Sequence, residues 1–191
     1  TASHQGGRID PDDLETFLDG FFTARMAMLH IPGVVVVFVQ DGEILLSKGY
    51  GFANLEQRLP MDPDATVVRI GSVSKTFVAT AVMQQVEQGR FYLHTDFNQY
   101  LDTCRLDDNY PEPVTLAHLL THTAGFDDYR SNTTDPTEIQ PLGPYLAEHM
   151  PPRVMPTGEV LCYSNHGYAL AAYIVERVSG IAFDQYVKDH I

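Results

Sequence analysis

In Arg69-Ile-Gly-Ser-Val-Ser-Lys-Thr-Phe77, Ser72 and Lys75 stand three residues apart where a helix is predicted to begin. That spacing puts both side chains on one helical face. A serine hydroxyl becomes a strong nucleophile only when a neighbour takes its proton, and a lysine does so only when neutral. Desolvation and the positive end of a helix both disfavour the ammonium form. The same helix end offers the Ser72 N–H to a developing oxyanion. The pair therefore suits acyl transfer, with Ser72 as nucleophile and Lys75 as general base. With seven Ser and three Lys among 191 residues, an S-x-x-K match arises by chance roughly 0.1 times, so the pair alone also fits an ordinary helix start, with Ser72 as N-cap and Lys75 in solvent.

A second element, Pro156-Thr-Gly-Glu-Val-Leu-Cys-Tyr-Ser-Asn165, precedes an apolar helical segment. Alternation along an extended chain puts Tyr163 and Asn165 on the same side. A tyrosine beside a lysine can relay protons between a serine and a leaving group, and an asparagine can both donate to and accept from a substrate amide. As plain structure, Tyr163 would be a core aromatic and Asn165 the N-cap of the helix behind it, a role compatible with substrate binding.

Three ordered motifs now stand together: Ser72-Val-Ser-Lys75, Leu119-Leu-Thr-His-Thr-Ala-Gly125 and Tyr163-Ser-Asn165. In this order they resemble the serine β-lactamase and penicillin-binding-protein superfamily, in the branch of class C β-lactamases, D-alanyl-D-alanine carboxypeptidases and related esterases. The likeness extends to Gly49-Tyr-Gly-Phe-Ala-Asn54, Pro156-Thr-Gly158 and Val178-Ser-Gly180. It implies a serine hydrolase acting on amide or ester carbonyls through an acyl-enzyme. Ser72, Lys75 and Tyr163 would be catalytic and Asn165 would bind substrate, without metal or cofactor. It further implies an extracytoplasmic location, a structural role for the Leu119–Gly125 turn, and His122 as scaffold. Ala124 stands where the family often has Ser, which leaves that turn's hydrogen bonding open. A module that acylates without turnover, a penicillin-binding sensor or scaffold, is the alternative of a different class.

The elements that must position these residues are legible from periodicity. Leu14, Phe17, Leu18, Phe21 and Met28 mark an amphipathic helix over Pro11–Leu29, capped by Asp10 and ended by Pro32-Gly33. Val34–Val39 and Ile44–Tyr50 flank Gln40-Asp-Gly-Glu43, a hairpin whose Asp41-Gly42 supplies positive φ. Beyond Leu59 the pattern is helical: Ser72–Gln88, Thr115–Leu120, Pro141–His149, Asn165–Val178 and Ala182–Ile191. The fold class is α+β, with residues 1–60 forming the first part of a sheet lobe and 61–191 a helical lobe carrying both motifs. The resemblance also calls for a third motif, a Lys- or His-led triad ending in Gly on a strand beside the nucleophile, which is not found here. A hairpin alone is marginal in water. The expectation is therefore a fragment of a β-lactamase/DD-peptidase-like domain, with its later sheet strands absent and with a complementing C-terminal segment or self-association as partner.

Composition narrows the partners. Twelve Lys+Arg against 25 Asp+Glu give a net charge of −13, which disfavours an electrostatic partnership with nucleic acid or an anionic membrane, while a small-molecule or peptide substrate is what the resemblance implies. Apolar runs such as Val34–Val39 are far short of the ~18 to 20 residues of a membrane span. Cys104 and Cys162 form no metal or redox pattern and are expected to be buried thiols. His118 and His122 would share a helical face, but Leu119 stands where a zinc-protease helix needs Glu. Asn132-Thr-Thr134 has the form of a glycosylation acceptor.

Overall fold

A computed structural model describes residues 8–102, 105–106, 110–127 and 139–191. Cys104 and the Asn132-Thr-Thr134 acceptor lie outside the described residues. The chain divides into two compact units, Thr1–Arg69 and Ile70–Ile191, and its class is the expected α+β.

In the first unit, helix α1 spans Pro11–Leu29. Asp10 caps it by accepting from the N–H groups of Asp12 and Asp13, and Pro11 sits where a missing N–H costs nothing. Its end comes before Pro32: His30 takes a left-handed conformation (φ 53°) and its N–H bonds back to Met26. Strands β1 (Gly33–Gln40) and β2 (Glu43–Asn54) pair antiparallel. Positive φ at both Asp41 and Gly42 gives the turn whose twist matches the strands. A third strand, β3 (Leu59–Pro60), adds two residues on the far side of β2 and was not expected from the sequence. Lys48 of β2 fastens α1 to the sheet through Glu15 (2.6 Å) and Asp19 (2.7 Å), and the Tyr50 hydroxyl donates to Asp19 (2.8 Å). These bonds hold the Lys48 ammonium well above its usual range, Asp19 contributing most. Within the chain α1 buries no residue completely, and Phe17 and Met28 remain exposed.

The second unit is organised around α5 (Asn165–Ser179), whose Leu170, Ala171, Ile174 and Val175 are fully buried. Helices α2 (Ser74–Glu87), α3 (Leu116–Leu120), α4 (Leu142–Glu148) and α6 (Phe183–His190) pack around it. Val78, Ala81 and Val82 turn the apolar stripe of α2 inward. Buried Gln85 donates to the Tyr186 hydroxyl (2.8 Å), tying α2 to α6. The predicted N-cap at Asn165 is corrected to Ser164, whose hydroxyl accepts from the Gly167 N–H (3.0 Å). Asn165 is already the first helical residue, so its side chain is released for other contacts.

Candidate active site

Four segments of the second unit build the site. The helix predicted to start at Ser72 begins as a tight 3-10 turn, Gly71–Val73, and becomes α2 at Ser74. Gly71 opens it at φ 54°. Ser72 therefore sits in the turn and Lys75 in the first turn of α2, and Lys75 Nζ donates to Ser72 Oγ at 3.2 Å.

The second segment is α3 and the turn after it. Thr115 caps α3 by accepting from the His118 N–H, and His118 Nδ1 accepts in return from the Thr115 N–H (3.2 Å). The helix stops at Leu120, and His122 turns left-handed (φ 58°). The expected shared face of His118 and His122 is thus not realised, since one ring serves the cap and the other lies beyond the helix. Among the described residues no cluster of three metal-ligating side chains occurs.

The turn then serves as a rack for the third segment. Thr123 accepts from Gly158 N (2.9 Å), Gly125 from Val154 N (2.8 Å), and His122 from Cys162 N (2.7 Å). Gly125, at φ 77°, is required here because a Cβ would collide with the Met155 carbonyl. Ala124 is buried, and the rack is held by backbone bonds that need no serine hydroxyl at that position. Cys162 is unpaired and half-buried rather than fully buried.

So supported, the Tyr163–Asn165 stretch meets the Ser72 turn. Tyr163 Oη lies 2.6 Å from Ser72 Oγ, and Lys75 Nζ donates to Asn165 Oδ1 at 2.6 Å. Lys75 also lies over two aromatic faces, 4.8 Å from the Tyr163 ring centroid and 5.7 Å from that of Tyr168. Such faces favour a cation. All four residues singled out in the sequence, Ser72, Lys75, Tyr163 and Asn165, thus fall within one hydrogen-bonded group, although 91 positions separate the two ends of the Ser72–Tyr163 bond.

Two neighbours complete the surroundings. The His122 ring packs at a tilt against Tyr163 (4.3 Å between centroids) and Tyr168 (5.0 Å), and its Nδ1 accepts from the Ser164 N–H (3.1 Å). Burial first, and then the Lys75 charge, push the His122 imidazolium below its ordinary range. Tyr168 donates its hydroxyl to the Leu120 carbonyl (2.8 Å), and burial, followed by Tyr163, raises its phenol. Sequence reasoning missed Tyr168. Its position three residues after Asn165 on the same helix was the available signal.

A serine-bearing turn before a helix, with a lysine, a tyrosine and an asparagine closing on it, makes up the candidate site. The beta-lactamase family model matches residues 18–191, and the chain belongs to that family. Protein flp of Staphylococcus aureus (strain MW2) is 27% identical over 189 residues, covering 94% of this chain and 36% of its own length. A putative penicillin-binding protein, PbpX of Bacillus subtilis (strain 168), is 29% identical over 160 residues, covering 81% and 37%. Among solved structures, the octameric penicillin-binding protein homologue from Pyrococcus abyssi superposes with a TM-score of 0.77 at 31% identity, over 92% of this chain and 42% of that one. The fold is therefore of the β-lactamase/penicillin-binding-protein type, and the chain spans little more than a third of the length of these curated relatives. No described helix is long and apolar enough to cross a membrane.

Proposed function

We propose that the protein containing this chain is a serine hydrolase that acts on amide or ester carbonyls through an acyl-enzyme on Ser72. The observation that carries this reading is the double engagement of Ser72 Oγ, by Tyr163 Oη at 2.6 Å and Lys75 Nζ at 3.2 Å. Because Lys75 donates into the serine oxygen, the serine's own proton is directed toward Tyr163. Attack forms the bond from Ser72 Oγ to the substrate carbonyl carbon while that proton passes to the Tyr163–Lys75 pair, which accepts it in the form one proton short of phenol plus ammonium. The same proton then leaves with the departing amine or alcohol. Water then attacks the acyl carbon and gives a proton to the pair, the bond from that carbon to Ser72 Oγ breaks, and the pair passes the proton on to Oγ to restore the serine hydroxyl.

The other residues support these steps. The Ser72 N–H precedes the first bond of its turn, Val73 N to Ile70 O, and in this reading it is the donor to the developing oxyanion. Asn165 holds Lys75 with its oxygen and presents its amide N–H groups to substrate. An acidic chain favours a neutral or cationic substrate over a polyanion.

The test is a burst experiment with a chromogenic p-nitrophenyl ester, on the protein at the full length its gene encodes. The reading expects one equivalent of nitrophenolate released rapidly, followed by slower turnover, and neither phase in Ser72→Ala. A burst without turnover would select the acylating sensor or scaffold instead. Parallel arms with a β-lactam and a D-alanyl-D-alanine peptide separate the three substrate classes.

A further inference from the structure

His122 touches the Tyr163 segment in three ways. Its carbonyl accepts from Cys162 N (2.7 Å), its Nδ1 accepts from Ser164 N (3.1 Å), and its ring lies 4.3 Å from the Tyr163 ring. The residues on both sides of Tyr163 therefore hang from one residue, while that residue's ring backs the phenol. Behind it stands Tyr168, 5.0 Å from the His122 ring and anchored to the Leu120 carbonyl. A backbone N–H can only donate, so Nδ1 must carry the lone pair and the ring proton must sit on Nε2. A left-handed backbone position is most easily filled by glycine or asparagine, yet here it holds an imidazole whose ring and nitrogen are both used.

We propose that His122 is a positioning residue for Tyr163, acting as a hydrogen-bond acceptor and ring support that sets the Tyr163 hydroxyl against Ser72. The proposal rests on the acyl-transfer reading above. It makes His122 more than a filler of its turn: rotating or releasing the Cys162–Ser164 backbone would carry Tyr163 away from Ser72 without breaking the hydrophobic core, in which neither His122 nor Tyr163 takes part. A misplacement of about 1 Å is enough to cost roughly a hundredfold in rate.

The substitutions separate acceptor from ring. In asparagine the side-chain oxygen is bonded to Cγ as Nδ1 is in histidine, so His122→Asn keeps an acceptor and the backbone geometry, whereas His122→Phe keeps a ring and loses the acceptor. The acylation rate of Ser72 by the p-nitrophenyl ester is expected to fall about ten- to a hundredfold in His122→Phe and to recover to within about fivefold of wild type in His122→Asn. In a Tyr163→Phe background, His122→Phe should cost less than about threefold, because its effect passes through the missing hydroxyl. An equal loss in both backgrounds would make the role structural and overturn the proposal. Independently of any reaction, 15N NMR of the wild type should find a coupling across the hydrogen bond from the Ser164 amide nitrogen to an unprotonated His122 Nδ1. A protonated Nδ1 in a protein that still acylates would overturn this proposal alone, whereas absence of acylation at Ser72 in the wild type would overturn both it and the acyl-transfer reading.

Discussion

The side-chain oxygen of Asn165 accepts a 2.6 Å hydrogen bond from Lys75 Nζ, so the residue expected to orient the substrate also fixes the lysine. The two lie 90 positions apart in the chain. A bond to a charged group is worth about 1.5–3 kcal/mol, roughly ten- to a hundredfold in rate where it acts on the reacting group. Asn165→Ala is expected to slow ester acylation by about that factor. Since Ser164, not Asn165, caps α5, the melting temperature should move by only a few degrees. An unchanged rate in stopped-flow assays would show that Lys75 needs no such anchor.

Ser164→Ala should do the reverse. It removes the buried hydroxyl that meets the Gly167 N–H, while leaving the Ser164 backbone bond to His122 in place. The expected loss is about 1 kcal/mol of stability, read as a lower midpoint in denaturant melts, with acylation retained in the folded fraction.

These two predictions rest on a distinction the sequence did not provide. Periodicity and capping signals give α1, because Asp10, Pro11 and the Leu14–Phe21 stripe are local, and Asp41-Gly42 marks the hairpin turn. Motif spacing singles out Ser72, Lys75, Tyr163 and Asn165, and the structure joins these four by hydrogen bonds. The cap at Ser164 was not, because Ser and Asn are equally good caps and adjacent, and only the φ of Ser164 (−132°) decides between them. Nor was the grip of His122 on Ser164, a bond spanning 42 residues whose partner is a backbone N–H and so leaves no side-chain signature. The short β3 depends on a pairing of Leu59 and Pro60 with β2, too brief to produce alternation.

Stability should fall with acidity through His166. This residue is only 5% exposed, meets Phe126 edge-on, and is pushed down to about 4 by burial, with His149 adding to the effect. Its folded-state value lies below its ordinary 6.5, so the unfolded chain binds more protons between these limits and stability rises with pH there. The stabilising contribution is complete above pH 6.5 and is lost as pH falls toward about 4. His118 and His122 are shifted in the same direction, burial being the leading cause for each. Urea melts at a series of pH values should give a midpoint that drops across this window, and His166→Gln should make the drop shallower. A midpoint that is flat from pH 7 to 4 would contradict the assignment.

The central claim is that Ser72 is the nucleophile, and peptide-mapped intact mass spectrometry after incubation with an activated ester and, separately, a fluorescent penicillin tests it most directly. The account predicts one acyl adduct per chain in the protein at its full encoded length, on the peptide containing Ser72 and Lys75, lost in Ser72→Ala and formed about a hundredfold or more slowly in Tyr163→Phe. An adduct that forms at the wild-type rate in Ser72→Ala, or that maps to another residue, would contradict it.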